Sequence, residues 1–422
     1  MSGNRPEDAG PGERNPPGPR VALALAGGGP LGGVFEVGAL RALDTALDGL
    51  EFDGLHALVG VSAGGLVAAC LANGIGSEAL SGLLIGSDDS PHNLAPERFF
   101  RPAWGEYARR LSGVPRLAVR AASDYVRAPW QLGILGAAAR LTRALPPGVF
   151  DNDPIRRWLK ALFSVQGRSD DFRALSTQLY IVATELDTGE VAVFGAPGRD
   201  DVPISRAVQA STALPGMYLP VEIDGRYFVD GALRKTVHAS VALDAGADLV
   251  ICINPLVPFD ARAGVDPEQG LRQPSLVHGG LPAVMGQTFR SLIHSRMEAG
   301  MGKYEAEYPG RDVLVFEPSR DDARMFFANV FSFANRERVC AHAYAEVLRQ
   351  LAERRDELRP VLARHGIAIR DSVLDSPPPL RLPRGSLAAT MEMLSGTLDE
   401  LEREIGDADD QGASPGAREG AA

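Results

Sequence analysis

Cysteine, histidine and long apolar runs are all scarce in this chain of 422 residues. The three cysteines, Cys70, Cys252 and Cys340, lie far apart in apolar contexts, which excludes a disulfide framework and fits buried free thiols of a reducing compartment. No Cys/His cluster has metal-ligand spacing, so no metal is expected. No window of about eighteen residues is apolar and free of charge, as a transmembrane helix requires. Basic residues number 43 against 54 acidic, and the net charge of -11 argues against nucleic-acid binding, which needs a basic face. These absences leave a globular protein of ordinary apolar content, expected in the cytoplasm and long enough for a large α/β domain. Residues 1–19 are rich in Pro, Gly and charge and read as a disordered leader without a signal peptide's apolar core; 407–422 read as a disordered tail.

What is present centres on residues 56–72, HALVGVSAGGLVAACLA. An apolar run meets Gly60-Val61-Ser62-Ala63-Gly64 and passes at once into a helical pattern of small residues, the layout of a nucleophile elbow. Gly60 and Gly64 remove the Cβ atoms that would collide with strand and helix, and the helix N-terminus offers N–H groups to developing negative charge. Taken alone, the pentapeptide also fits a helix start with Ser62 as a simple N-cap.

Upstream, a strand at Val21–Leu25 runs into Gly27-Gly28-Gly29-Pro30-Leu31-Gly32-Gly33 and then a helix. Glycine N–H groups in such a loop turn toward an anion with no side chain in the way. A dinucleotide-binding fingerprint fits less well, because the glycine spacing is not G-x-G-x-x-G and the second strand ends in the elbow instead of an acidic ribose anchor. Two glycine turns in succession predict neighbouring parallel strands with both loops at one sheet edge.

The character changes over 77–168. Between Glu97 and Arg168 there are 13 basic residues and 5 acidic ones, +8 inside a chain of -11, mixed with Trp104, Tyr107, Tyr125 and Trp130. This suits contact with anionic lipid headgroups; an ordinary insertion whose arginines pair with acids is the plainer alternative. Further on, the strand 179–184 and Val191–Phe194 flank Asp187-Thr188-Gly189, and a compact hairpin turning at Asp224-Gly225 delivers Asp230-Gly231-Ala232 at its end. A helix is expected over 237–245, a buried strand over 249–253, a polar loop over 254–273, a helix over 282–304, a strand over 313–316, mostly helix over 323–364 and another helix over 387–405.

An exposed serine needs a base and an oxyanion hole. Of the seven histidines, only His278, beside Gly279-Gly280, sits in a loop of the kind that carries a triad base. Asp230 offers a route without histidine: a partly buried carboxylate within reach accepts the serine proton directly. Gly28, Gly29 and the N–H of Ala63 would then form the oxyanion hole.

GGG-x-x-G after the first strand, G-x-S-x-G after the second, A-S-x-A-x-P at Ala210–Pro215 and D-G-A after a hairpin together resemble the patatin-like phospholipase family, in its bacterial branch. The resemblance implies a three-layer α/β/α fold with a mostly parallel central sheet. Its acyl hydrolase domain would span 20–318, with 77–168 a helical basic insertion or lid and 319–406 a helical C-terminal extension. It implies a Ser62–Asp230 dyad, an oxyanion hole at Gly27, Gly28 and Gly29, motif glycines at Gly32, Gly60, Gly64 and Gly231, and phospholipase A or lysophospholipase activity without calcium or another cofactor. The partners implied are a lipid ester substrate and, through 97–168, an anionic membrane surface; no protein partner is indicated. One departure stands out: the family usually has Arg or Lys where this chain has Leu31. A weak or inactive lipid-binding protein on the same fold is therefore the alternative.

Overall fold

Successive residues of a strand point to opposite faces, and strands apolar at every position belong in a sheet covered on both sides. The computed structural model describes residues 18–86, 100–110, 112, 146–235, 237–261, 275–322, 324–325 and 333–382. Within them one sheet has eight strands: β1 (Val21–Leu25), β2 (Ala57–Val61), β3 (Gln178–Glu185), β4 (Val191–Phe194), β5 (Val221–Ile223), β6 (Arg226–Asp230), β7 (Leu249–Ile253) and β8 (Asp312–Phe316). The order is β8-β7-β1-β2-β3-β6-β5, with β4 also pairing with β3. From β8 to β3 all neighbours are parallel; β4, β5 and β6 join by antiparallel pairing.

Alternate residues serve two cores. Leu23, Leu25, Leu58 and Ile251 face α1 (Gly29–Ala46), α2 (Ala63–Ala72), α3 (Ser77–Ile85) and α8 (Phe333–Glu353). Ala22, Ala24, Val59 and Cys252 face α6 (Ala239–Asp244) and α7 (Gly280–Glu307) on the other side. The result is the expected α/β/α sandwich. Two shorter helices, α4 (Asp153–Phe163) and α5 (Ile204–Ser211), complete the part nearest the site, and α9 (Arg355–Arg364) follows α8. α8 packs on α1 at Gly38, where a Cβ would lie 2.4 Å from the Cys340 carbonyl oxygen. The described C-terminal helices therefore share the first core.

Both hairpins form, and Asp224 and Gly225 turn with φ of 51° and 74°, as a two-residue type I′ connection demands. Helix ends differ from the sequence reading. α7 begins at Gly280, because Pro282 in a first turn lacks only an N–H that would have no intrahelical acceptor. α6 is shorter than read, with His238 at its N-cap, and α8 and α9 break at Arg354. The leader up to residue 17, residues 87–99, most of 111–145, the expected helix over 387–405 and the tail lie outside the described residues. Among the described residues, no helix is long and apolar enough to cross a membrane.

Candidate active site

Parallel pairing of β1 with β2, with Leu25 opposite Gly60, sets the glycine loop and the serine turn side by side at the carboxyl edge of the sheet. Ser62 adopts φ 54° and ψ -121°, a left-handed conformation that costs a side-chain-bearing residue about 1–3 kcal/mol. The turn is so tight that a Cβ at Gly60 would lie 2.5 Å from the Gly64 carbonyl oxygen. Gly27 lies directly against the serine, its missing Cβ 3.1 Å from the Cβ atoms of both Ser62 and Ala232. Gly28 is wedged from behind, where a Cβ would meet the Pro255 ring at 2.7 Å.

Register delivers the carboxylate. Val61 is opposite Val182, and Asp230 is opposite Ala183, so the end of β6 reaches the level of the elbow across β3. The chain then turns over β3 at Gly231, where a Cβ would collide with the Val182 carbonyl oxygen at 2.4 Å. Asp230 is buried and accepts a hydrogen bond at 2.8 Å from the Ala232 N–H, and the neighbouring Ser62 hydroxyl favours its ionised form. Burial pushes its carboxyl up to about 6, against the lowering effect of those two donors. A base with that affinity is ionised at neutral pH yet holds a proton far better than an exposed aspartate.

The A-S-x-A-x-P segment holds both partners. The Ser211 hydroxyl accepts the Ser62 N–H at 2.7 Å and donates to the Val182 carbonyl at 2.6 Å, while the Ala213 carbonyl accepts the Asp230 N–H at 3.0 Å. The motif was legible in the sequence, but this bracing role of Ser211 was not. Ser211→Ala strips a buried N–H and a buried carbonyl of their partner, a loss of about 1–3 kcal/mol. We expect a lower melting temperature and a fall in kcat, with Ser211→Thr recovering part of both; a kcat unchanged in the alanine variant would show that the brace is irrelevant to the elbow.

The serine opens on a cavity of ≈ 490 Å³. Gly28, Gly29 and Ala63 line it beside Ser62 and Asp230, with apolar walls that include Leu66, Ile155, Phe289 and Ile293. Arg290 of α7 and Arg336 of α8 also line it, and Arg336 donates to the Leu84 carbonyl at 3.2 Å. Nothing local in the sequence pointed to these two cations. Leu31, where the family usually carries a cation, is buried in the apolar core. Gly32 packs against Pro255, and Gly64 against the end of β1, so neither faces the cavity.

Among the described residues no histidine lines the cavity. His278 is exposed, its ring nitrogen 3.1 Å from the Ser275 carbonyl, so the one loop histidine considered for a triad is not brought to Ser62. His238 is buried beside the backbone of Gly231 and Lys235, its Nε2 without a hydrogen-bond partner, and burial, reinforced by Lys235, lowers it to about 4. It is thus a neutral ring pinned under the Asp230 turn. Among the described residues no group of three or more His, Cys, Asp or Glu side chains is placed to hold a metal ion. The three cysteines are buried free thiols, and burial raises each above its ordinary value.

Within 97–168 four of the described arginines pair locally: Arg109 and Arg110 with Glu106, Arg156 and Arg157 with Asp153. Much of that segment's charge lies outside the described residues.

A serine on a strained strand-to-helix turn, with a buried carboxylate and helix N-termini beside it, has the parts that nucleophilic acyl transfer requires. Residues 23–243, just over half the chain, match the patatin-like phospholipase family, and the chain belongs to that family of lipid hydrolases. Solved structures with similarity include VipD from Legionella pneumophila, at 16% identity and a TM-score of 0.36 over 80% of this chain and 67% of that one. The type III effector ExoU aligns at 18% identity and a TM-score of 0.32 over 79% of this chain. This chain covers 52% of ExoU, about half its length. ExoU in its complex with SpcU, from Pseudomonas aeruginosa, aligns at 17% identity and a TM-score of 0.24 over 89% of this chain and 68% of that one.

Proposed function

We propose that the protein is a serine lipid acyl hydrolase of the phospholipase A or lysophospholipase kind, independent of calcium. The observation that carries this is Ser62, on its strained turn, lining one apolar cavity together with the buried Asp230. Ser62 attacks the ester carbonyl while Asp230 takes its proton; the C–O bond to the alcohol breaks and that alcohol leaves with the proton from Asp230. Water, deprotonated by Asp230, then frees the acyl group and restores Ser62. The N–H groups of Gly27 to Gly29 and Ala63 receive the oxyanion. Two arginines beside apolar walls favour an amphiphile with an anionic head over a neutral glyceride. Contact of 97–168 with an anionic surface is proposed on its net charge and on the exposed Trp104.

The test is hydrolysis of a short-chain p-nitrophenyl ester and of a glycerophospholipid, each with and without a calcium chelator. Turnover of both, unchanged by the chelator, is expected. Inert protein on every ester offered would favour a lipid-binding role without catalysis, the reading that the buried Leu31 supports.

A further inference from the structure

α7 is anchored at one end and bare at the other. From Ile293 onward it is packed, with Ile293, Met297 and Tyr304 buried. Between Ser275 and Leu292 no described side chain is buried. Large apolar residues nevertheless recur there at helical spacing: Leu281 (73% exposed), Val284, Met285, Phe289 and Leu292 (51% exposed), with Val277 (72% exposed) on the turn before the helix. At ~100° per residue they fill an arc of roughly 140°, the apolar stripe of an amphipathic helix, turned toward solvent. Water-facing stripes of this size mark a surface that is covered in use.

We infer that the α7 stripe docks on an anionic lipid surface and opens the cavity directly into it. Two observations choose that occupant. The stripe is continuous with the cavity wall: Phe289 belongs to both, and Gly286 and Ile293 line the cavity from the adjoining face of the same helix. The charge is also complementary, since from Ser275 to Met297 there is no acidic residue, whereas the exposed Arg296 is present, in a chain of -11. An amphipathic helix lying in the headgroup region buries its apolar face there and gains from flanking cations on anionic lipid. A lipid leaving the bilayer would then enter the cavity beside Phe289 without crossing water. This goes beyond the hydrolase assignment and rests on it for the identity of what enters the cavity.

The test is flotation with vesicles of phosphatidylcholine and phosphatidylglycerol, using full-length Ser62→Ala so that the vesicles stay intact. Binding is expected, weaker to phosphatidylcholine alone. Adding Leu281→Glu and Leu292→Glu, neither of which lines the cavity, should cut the bound fraction about tenfold or more. The same two changes on active protein should leave p-nitrophenyl ester turnover within about twofold, which also reports an intact fold; Val277→Glu, on the short turn, is the milder second variant. Equal vesicle binding by all variants overturns the proposal. So does a wild-type dimer in light scattering that the double variant converts to monomer, because the stripe would then be a contact between copies. Vesicle binding that depends on the stripe in a protein inert on all esters would leave docking standing and remove the hydrolase reading.

Discussion

Ser62→Ala is expected to lower ester hydrolysis by about 10⁴-fold or more, to near the uncatalysed background. The alanine keeps the Cβ and the left-handed φ of 54°, so the strain of the turn stays and circular dichroism and melting should be almost unchanged. Loss of activity with an unaltered fold separates a nucleophile from a helix cap. A Ser62 acting only as N-cap would behave otherwise, its loss costing about 0.5–2 kcal/mol of helix stability and leaving turnover intact; its hydroxyl in fact makes no capping bond to α2. Retained turnover would sink the nucleophile assignment.

Asp230→Asn is expected to cost about 10³- to 10⁴-fold in kcat, since the amide still fits and still accepts from the Ala232 N–H but takes no proton. In the wild type the carboxylate form is the base, so kcat/KM should rise with pH through about 6 and flatten above it. The stability effect has the opposite direction. An acid raised from 3.8 to about 6 on folding contributes stability that is complete below 3.8 and lost as pH climbs through 6. That loss is about 3 kcal/mol, two-odd pK units at 1.36 each. Asp230→Asn should therefore melt no lower than wild type at pH 8, inactive and at least as stable. An active Asp230→Asn, or a flat profile across pH 5 to 7, would remove the carboxylate from the chemistry.

The parts of the site that lie within a few residues of a strand end were legible in the sequence. Gly60 and Gly64 around Ser62 report a turn that no Cβ fits, and the Asp-Gly hairpin places Asp230 at a strand end whatever the rest of the chain does. The glycine turns after apolar strands showed neighbouring parallel strands, and the α/β/α order came from the resemblance to the family. What was not legible depends on packing between segments distant in the chain. Ser211 looks like any helix-terminal serine until β3 sets the Val182 carbonyl beside it. Arg290, Phe289 and Arg336 reach the cavity from helices whose local pattern shows only that they are helices. Which face of α7 lies in water is likewise a property of what does not pack on it. In the described part of the insertion, four arginines meet acids three or four residues away, a pairing set by helical spacing that composition alone does not show.

Labelling with a fluorophosphonate followed by peptide mass spectrometry tests the central claim most directly. The phosphonyl group should be found on Ser62, with no label in Ser62→Ala and a strongly slowed reaction in Asp230→Asn. A protein that turns over lipid esters yet takes no label at Ser62, or takes it on another residue, would contradict the account.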